Sequence, residues 1–296
     1  KYIIKKNADK ELVMRSRIEL INTEFSKYQA TFSHDNARLL RIEQEYMKLL
    51  DELGKNAFTI PLILNLAHLQ AFQLDKTDAA IQLLSEAIRI PSVPAKSQAE
   101  CKLELGDIYL FSDNPWEATL LYSQVDKSFK NEPLGHEAKF RNAKLSFYIG
   151  EFTWAQAQLD VLKAATSKLI ANDAMELSLL IGDNLEEDSL AIPLKMYARA
   201  DLLEFRNHNA EALAVLDSLT TAYPAHIITA NALFKKAEIE IRNGKFQQAA
   251  DYYTEIIDKY PYGLMADDAM FNLAALLENQ LNDKMKAMEL YEKILT

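Results

Sequence analysis

Gly244-Lys245-Phe246-Gln247-Gln248-Ala249, followed by Tyr253, Ile256 and Pro261, is the stretch that decides the fold. It reads as the turn and second helix of a helix–turn–helix, with a small residue, Ala237, twelve positions before Ala249 in the first helix. Aligning the chain on that second-helix alanine finds further copies. Ala118 follows Leu105-Gly106 and Tyr109 and precedes Tyr122 and Val125. Ala155 follows Ala143 and Gly150-Glu151-Phe152 and precedes Leu159 and Leu162. Ala212 follows Ala200 and precedes Leu216, Leu219 and Pro224. Ala287 follows Ala275 and precedes Tyr291 and Ile294, and Ala80 has Ala67 before it and Leu84, Ala87 and Pro91 after it. The six alanines are spaced 38, 37, 57, 37 and 38 residues apart.

Packing explains the small residues. Gly106, Ala143, Ala200, Ala237 and Ala275 fall where a first helix crosses its own second helix, and a longer side chain would hold the two apart. A glycine inside a helix costs about 1 kcal/mol relative to alanine, so Gly106 implies a close contact that offsets it. Tyr122, Leu159, Leu216, Tyr253 and Tyr291 are placed to fill the seam between repeats. Pro91, Pro94, Pro133, Pro224 and Pro261 fall between repeats, where no helix is interrupted. Pro61 is placed to open the first repeat, and Asn114-Pro115-Trp116-Glu117 reads as an N-cap, a proline at N1 and a glutamate at N3.

The spacing of 57 is one repeat plus about 20 residues, room for one extra helix and a loop. Asn172-Asp173 is its expected cap, with Ala174, Leu177, Leu180 and Ile181 on one face. The acidic run Asn184-Leu185-Glu186-Glu187-Asp188-Ser189 is expected to form the turn after it. Residues 1–57 do not match the repeat. Leu12, Ile18, Leu20 and Phe25 suggest one helix, and Leu39, Ile42, Tyr46, Leu49, Leu50 and Leu53 a second ending at Gly54.

Composition agrees with helices. The 296 residues are 49% apolar and include 38 Ala and 43 Leu but only 5 Val and 7 Gly. Helix formers dominate, and β-branched residues suited to strands are scarce. Neither G-x-G-x-x-G nor G-x-x-x-x-G-K-[ST] occurs, so no nucleotide-phosphate loop is present. A net charge of −10 argues against nucleic acid as a partner, since affinity for a phosphate backbone needs basic patches. No apolar run of about 18 residues exists to span a membrane. The single cysteine, Cys101, excludes an intramolecular disulfide and a Cys-rich metal site. The chain begins at Lys1 and stops mid-pattern at Leu295-Thr296, and is expected to be part of something longer.

The repeat resembles the tetratricopeptide repeat (TPR), a helix–turn–helix of about 34 residues. The resemblance covers residues 58–296 and implies an all-α TPR-type solenoid, a right-handed superhelix, with one extra unpaired helix. The expected organisation is a helical pair over 1–57, then repeats around 60–94, 99–131, 136–168, 193–225, 230–262 and 268–296, with the extra helix at about 171–184. The longer period, and the linker Tyr260-Pro261-Tyr262-Gly263-Leu264-Met265-Ala266-Asp267-Asp268-Ala269, resemble the TPRs of bacterial envelope proteins. These include outer-membrane assembly lipoproteins. That likeness implies a periplasmic or outer-membrane-associated location, with the cytoplasm as the alternative.

No catalytic constellation emerges. His34, His68, His136, His208 and His226 are scattered, and none forms H-E-x-x-H or an i, i+4 pair. His136, His208 and His226 are expected in turns. Cys101 has no nearby histidine, so a buried inert thiol is expected. Glu186-Glu187-Asp188 reads as a solvated acidic turn rather than a carboxylate pair for acid–base work. No cofactor or metal is called for. The TPR resemblance implies protein or peptide partners lying along the first, or A, helices at the fifth, ninth and thirteenth positions of each repeat. In the middle repeats these are Phe140, Lys144 and Tyr148, then Tyr197, Asp201 and Phe205, then Phe234, Glu238 and Arg242. In the repeat before these they are Leu103, Asp107 and Phe111, and in the last Asn272, Leu276 and Gln280. The Lys/Arg and Asn of the chaperone-type carboxylate clamp are absent from the fifth and ninth positions. The expected function is a non-catalytic scaffold. The alternative is a helical ligand- or glycan-binding surface lipoprotein, using Trp116 and Trp154.

Overall fold

The computed structural model describes residues 10–29, 35–165, 168–187 and 191–294. Among them it is all-α, with fifteen α-helices, one turn of 3-10 helix and no strand. In chain order the helices are α1 (Lys10–Gln29), α2 (Asn36–Leu53), α3 (Ile60–Phe72), α4 (Thr77–Ile88) and α5 (Ala95–Phe111). Then come α6 (Pro115–Ser128), α7 (Pro133–Tyr148), α8 (Phe152–Ala165), α9 (Lys168–Glu187) and α10 (Ile192–Phe205). The last are α11 (Asn209–Ala222), α12 (Ile228–Arg242), α13 (Phe246–Lys259), α14 (Ala266–Asn279) and α15 (Lys284–Ile294). Contacts divide the chain into two units, Lys1–Leu145 with Asp160–Ala174, and Ser146–Leu159 with Met175–Thr296.

One backbone device recurs at every A–B turn. Asp75, Asp113, Gly150, Asn207, Gly244 and Asn282 all have positive φ, between 56° and 82°. They are spaced like the alanines, and each is Gly, Asn or Asp, the residue types that enter the left-handed region most readily. In the four middle repeats the residue after this one donates its N–H to the carbonyl five positions back, as in Asn114 to Tyr109 (2.8 Å) and Lys245 to Glu240 (2.8 Å). That is the Schellman closure of a helix end. In the first and last repeats the bond reaches six positions back, Lys76 to Gln70 and Asp283 to Leu277, both 2.8 Å.

That extra residue corrects one alignment. The small residue facing Ala287 is Ala274, fully buried, while Ala275 is only half-buried. Leu276, expected on the partner-facing wall, is therefore core. Two adjacent alanines fit either register, and the longer turn selects the earlier one. Elsewhere the helix crossing is as expected. A Cβ on Gly106 would lie 2.4 Å from the Tyr122 ring. Tyr122, Leu159, Leu216 and Tyr253 are fully or almost fully buried; Tyr291 is half-exposed and meets Phe271 edge-on at 5.9 Å.

The punctuation departs from expectation in three places. Asn114 does precede α6, but its side chain does not cap it and donates instead to the Ser112 carbonyl (2.8 Å). Asn172 and Asp173 lie inside α9, which starts at Lys168, so they are no cap. Asn184 is buried within the same helix, which continues to Glu187. The rest of the expected acidic turn, Asp188 and Ser189, lies outside the described residues, as does His34.

The N-terminal helices share the core of the first unit. α2 buries Leu39, Ile42, Tyr46, Leu49 and Leu50, and Gly54 ends it at φ 73°. α1 buries Ile18, Ile21, Phe25 and Tyr28 and leaves Leu12 and Leu20 exposed. The buried carboxylate of Glu43 accepts hydrogen bonds from Gln70 (3.1 Å) and Lys76 (2.6 Å), tying α2 to the first repeat.

Candidate functional site

Counting the small residue of each A helix as position eight, a polar ladder joins successive A helices within each unit. The ninth residue of one pairs with the sixth of the next. His68 on α3 meets Glu104 on α5 at 2.9 Å. Asp107 on α5 meets Arg141 on α7 at 2.5 Å. In the second unit, Asp201 on α10 meets Lys235 on α12 at 2.9 Å.

In the first unit His68, Glu104 and Arg141 of the ladder help line an open groove of about 220 Å³. α3 contributes Leu64, Asn65 and His68, α5 contributes Glu100, Leu103 and Glu104, and α7 contributes Leu134, Glu137 and Arg141. The Arg141 guanidinium forks, giving one arm to Asp107 and the other to Glu137 (2.6 Å). Asp107 also accepts the Tyr122 hydroxyl proton in a 2.6 Å bond, so the Gly106–Tyr122 contact and the ladder share one residue. Burial pushes the Asp107 carboxyl up to about 6, and Glu104 and Glu137 add to it, against the pull of Arg141 and Tyr122. Burial first, and then Asp107, hold the Tyr122 hydroxyl protonated well above its usual range. Cys101 is buried, and desolvation followed by Glu100 and Glu104 pushes its thiol up to about 12, where it is unreactive.

In the second unit the same wall is a closed charge cluster. Lys235 lies 2.9 Å from Asp201, 3.1 Å from Glu204 and 3.8 Å from Glu238, and Arg242 pairs with Glu204. Burial works against the Lys235 charge, but Tyr197, Asp201 and Glu204 outweigh it and raise its pKa. Burial raises the Glu238 carboxyl against the opposing pull of Lys235.

Two overlapping segments of the chain, residues 197–263 and 234–296, match the family model described as tetratricopeptide repeat. Residues 197–296, about a third of the chain, thus match tetratricopeptide repeats. Similar solved structures include a tetratricopeptide repeat protein from Parabacteroides merdae ATCC 43184, 14% identical over 94% of this chain and 92% of that one, with a TM-score of 0.39. Another is a Rap protein complexed with competence and sporulation factor, 13% identical over 98% of this chain and 87% of that one, with a TM-score of 0.40. No curated protein matches. TPR folds are generally non-catalytic interaction scaffolds.

The wall residues expected from the TPR pattern divide by environment. Tyr148 and Tyr197 are buried, 7% and 9% exposed. Tyr148 lies 6.2 Å from the Phe205 ring, and Phe234 packs edge-on against Tyr253 at 5.2 Å within a core cluster. These rings serve the core at least as much as any partner. Asp201, Glu238 and Arg242 come together in the charge cluster. Phe140 and Lys144 are half-buried in the first unit, apart from the groove lining. His136 sits in the first turns of α7 rather than in a loop.

Position-by-position reading passed over Glu100, Glu104, Glu137, Arg141, Glu204 and Lys235. A signal was present: Asp107 to Arg141 and Asp201 to Lys235 are both opposite charges spaced by 34, although the repeats themselves are spaced by 37.

No described helix is long and apolar enough to cross a membrane.

Proposed function

We propose that this chain is a non-catalytic TPR scaffold that docks protein segments along its A-helix walls, within a bacterial envelope assembly. The observation that carries the docking is the groove of the first unit, where three successive A helices supply apolar and charged lining together. Its volume falls below the about 300–1,000 Å³ usual for small-molecule pockets, so it suits side chains of a docked segment better than a free metabolite. The envelope assignment is supported by the repeat period of 37 to 38 and by the Tyr260–Ala269 linker. In that linker Tyr260 donates its hydroxyl to the Pro224 carbonyl of the preceding turn (2.7 Å).

Affinity capture from separate envelope and cytosolic fractions of the source cell tests this. One stoichiometric protein from the envelope fraction is expected, lost with a Glu100→Lys variant that melts unchanged, since Glu100 lines the groove and no ion pair is broken. Retention of no stoichiometric protein, or equal retention by the variant, contradicts the wall. Retention from the cytosolic fraction alone contradicts the location.

One observation favours the glycan-binding alternative. Trp116 and Trp154 are 75% and 61% exposed, each free to stack on a sugar ring. Saturable quenching of tryptophan fluorescence by oligosaccharides would support that reading over the scaffold.

A further inference from the structure

Within the groove of the first unit, the charges do not balance evenly. Glu104 is engaged by His68, and Glu137 by one arm of Arg141. The other arm of Arg141 is held by Asp107. Glu100 is the remaining lining carboxylate, and it has no hydrogen bond or ion pair among the described residues. It sits half-buried on α5, one turn from Leu103, with Leu64 and Leu134 completing the apolar lining.

We infer that this groove takes a lysine or arginine side chain of a docked peptide, with Glu100 as the carboxylate that receives it. The inference rests on the docking reading above and names what that wall selects. An anion entering the groove would meet three carboxylates, and its natural donor, Arg141, is already divided between two acids. A cation meets an unspent carboxylate at reduced dielectric, where a charge-assisted hydrogen bond is strong. The leucines suit the methylene stem that lysine and arginine bury while their charged heads stay polar. A metal ion fits less well, because among the described residues no three metal-ligating side chains converge.

The test uses the purified chain and three fluorescein-labelled peptides, Gly-Ala-Leu-Ala-Xaa-Ala-Leu-Ala-Gly-amide, with Lys, Gln or Glu at Xaa, read by anisotropy. The lysine peptide is expected to bind about tenfold tighter than the glutamine peptide, the scale of one charge-assisted hydrogen bond. The glutamate peptide should bind weakest. Glu100→Gln should erase the preference for lysine and leave melting unchanged, since no partner is lost. A control, Glu45→Gln with Asp51→Asn on the exposed face of α2, removes two charges away from the groove. It should change affinity by less than about twofold. Equal loss in the control and in Glu100→Gln would mean bulk attraction to an acidic protein and would overturn the site. Equal binding of all three peptides, abolished by Leu134→Arg at the half-buried lining position on α7, would overturn the selectivity and leave the docking wall standing. Binding by none of them would overturn both.

Discussion

In the first unit, the ladder of His68–Glu104 and Asp107–Arg141 ends with Glu100 unpaired over an open groove. In the second, the rung Asp201–Lys235 is joined by Glu204, Glu238 and Arg242, and each of the three acids has a cation within 3.8 Å. The rule is the same, position nine to position six, and the outcome depends on what stands nearby. Position two supplies Glu100 and Glu137 in the first unit. In the second it supplies Leu194, which is buried, and Asn231. A wall whose charges are spent on itself stabilises the stack; a wall with a spare carboxylate can select a partner.

The largest expected effect is at Tyr197. The ring is buried, so Tyr197→Ala should cost about 3–5 kcal/mol in chemical denaturation, as for large aromatic truncations in cores. A variant as stable as the native chain would open the second wall to a partner and remove the contrast. Next comes Lys235→Met, which leaves Asp201, Glu204 and Glu238 facing one another. Lys235 is 17% exposed, so the loss should be about 2–4 kcal/mol, somewhat under that for a fully buried pair broken on one side. No loss would show that the cluster is solvated rather than structural.

Gly106→Leu should cost about 1–3 kcal/mol by forcing side-chain atoms into the Tyr122 ring. Because repeats stabilise mainly their neighbours, faster hydrogen exchange should concentrate in α5 and α6. Uniform loss across all repeats would contradict a stack of separable units.

The smallest effect is one of pH. The Asp107 carboxyl lies near 6 in the folded chain against 3.8 for a free aspartate. Its folded value is raised, so the stability it contributes is complete below the unfolded value and is lost as pH rises through about 6. Asp107→Asn should therefore flatten the melting-temperature profile between those limits relative to the native chain. Parallel profiles would show that Asp107 does not titrate in that window.

Much of this architecture was legible in the sequence because the repeat is enforced by sterics. Only a small residue fits opposite the Tyr122 ring, and only Gly, Asn or Asp readily takes the left-handed turn at Asp113, Gly150 or Asn207. Alternation of such residues at a fixed spacing survives in the string. The last repeat slipped by one because Ala274 and Ala275 are chemically identical, and the turn that separates them shows only in the backbone. The expected wall residues were chosen by position within a repeat, and that choice could not see what the neighbouring repeat spends. Asp201 looks like a free acid until Lys235 is placed beside it, and Tyr197 looks like an anchor until its burial is known. Glu100 was overlooked because nothing about one more surface glutamate marks it; its meaning is the absence of a partner in a groove made by three helices.

Hydrogen–deuterium exchange of the native chain with and without the lysine peptide tests the contrast between the walls most directly. Slowed exchange should appear in α5 and in residues 133–141 of α7, with α10 and α12 unchanged. Protection confined to α10 and α12 would contradict the account, placing the docking surface on the wall whose charges are already spent.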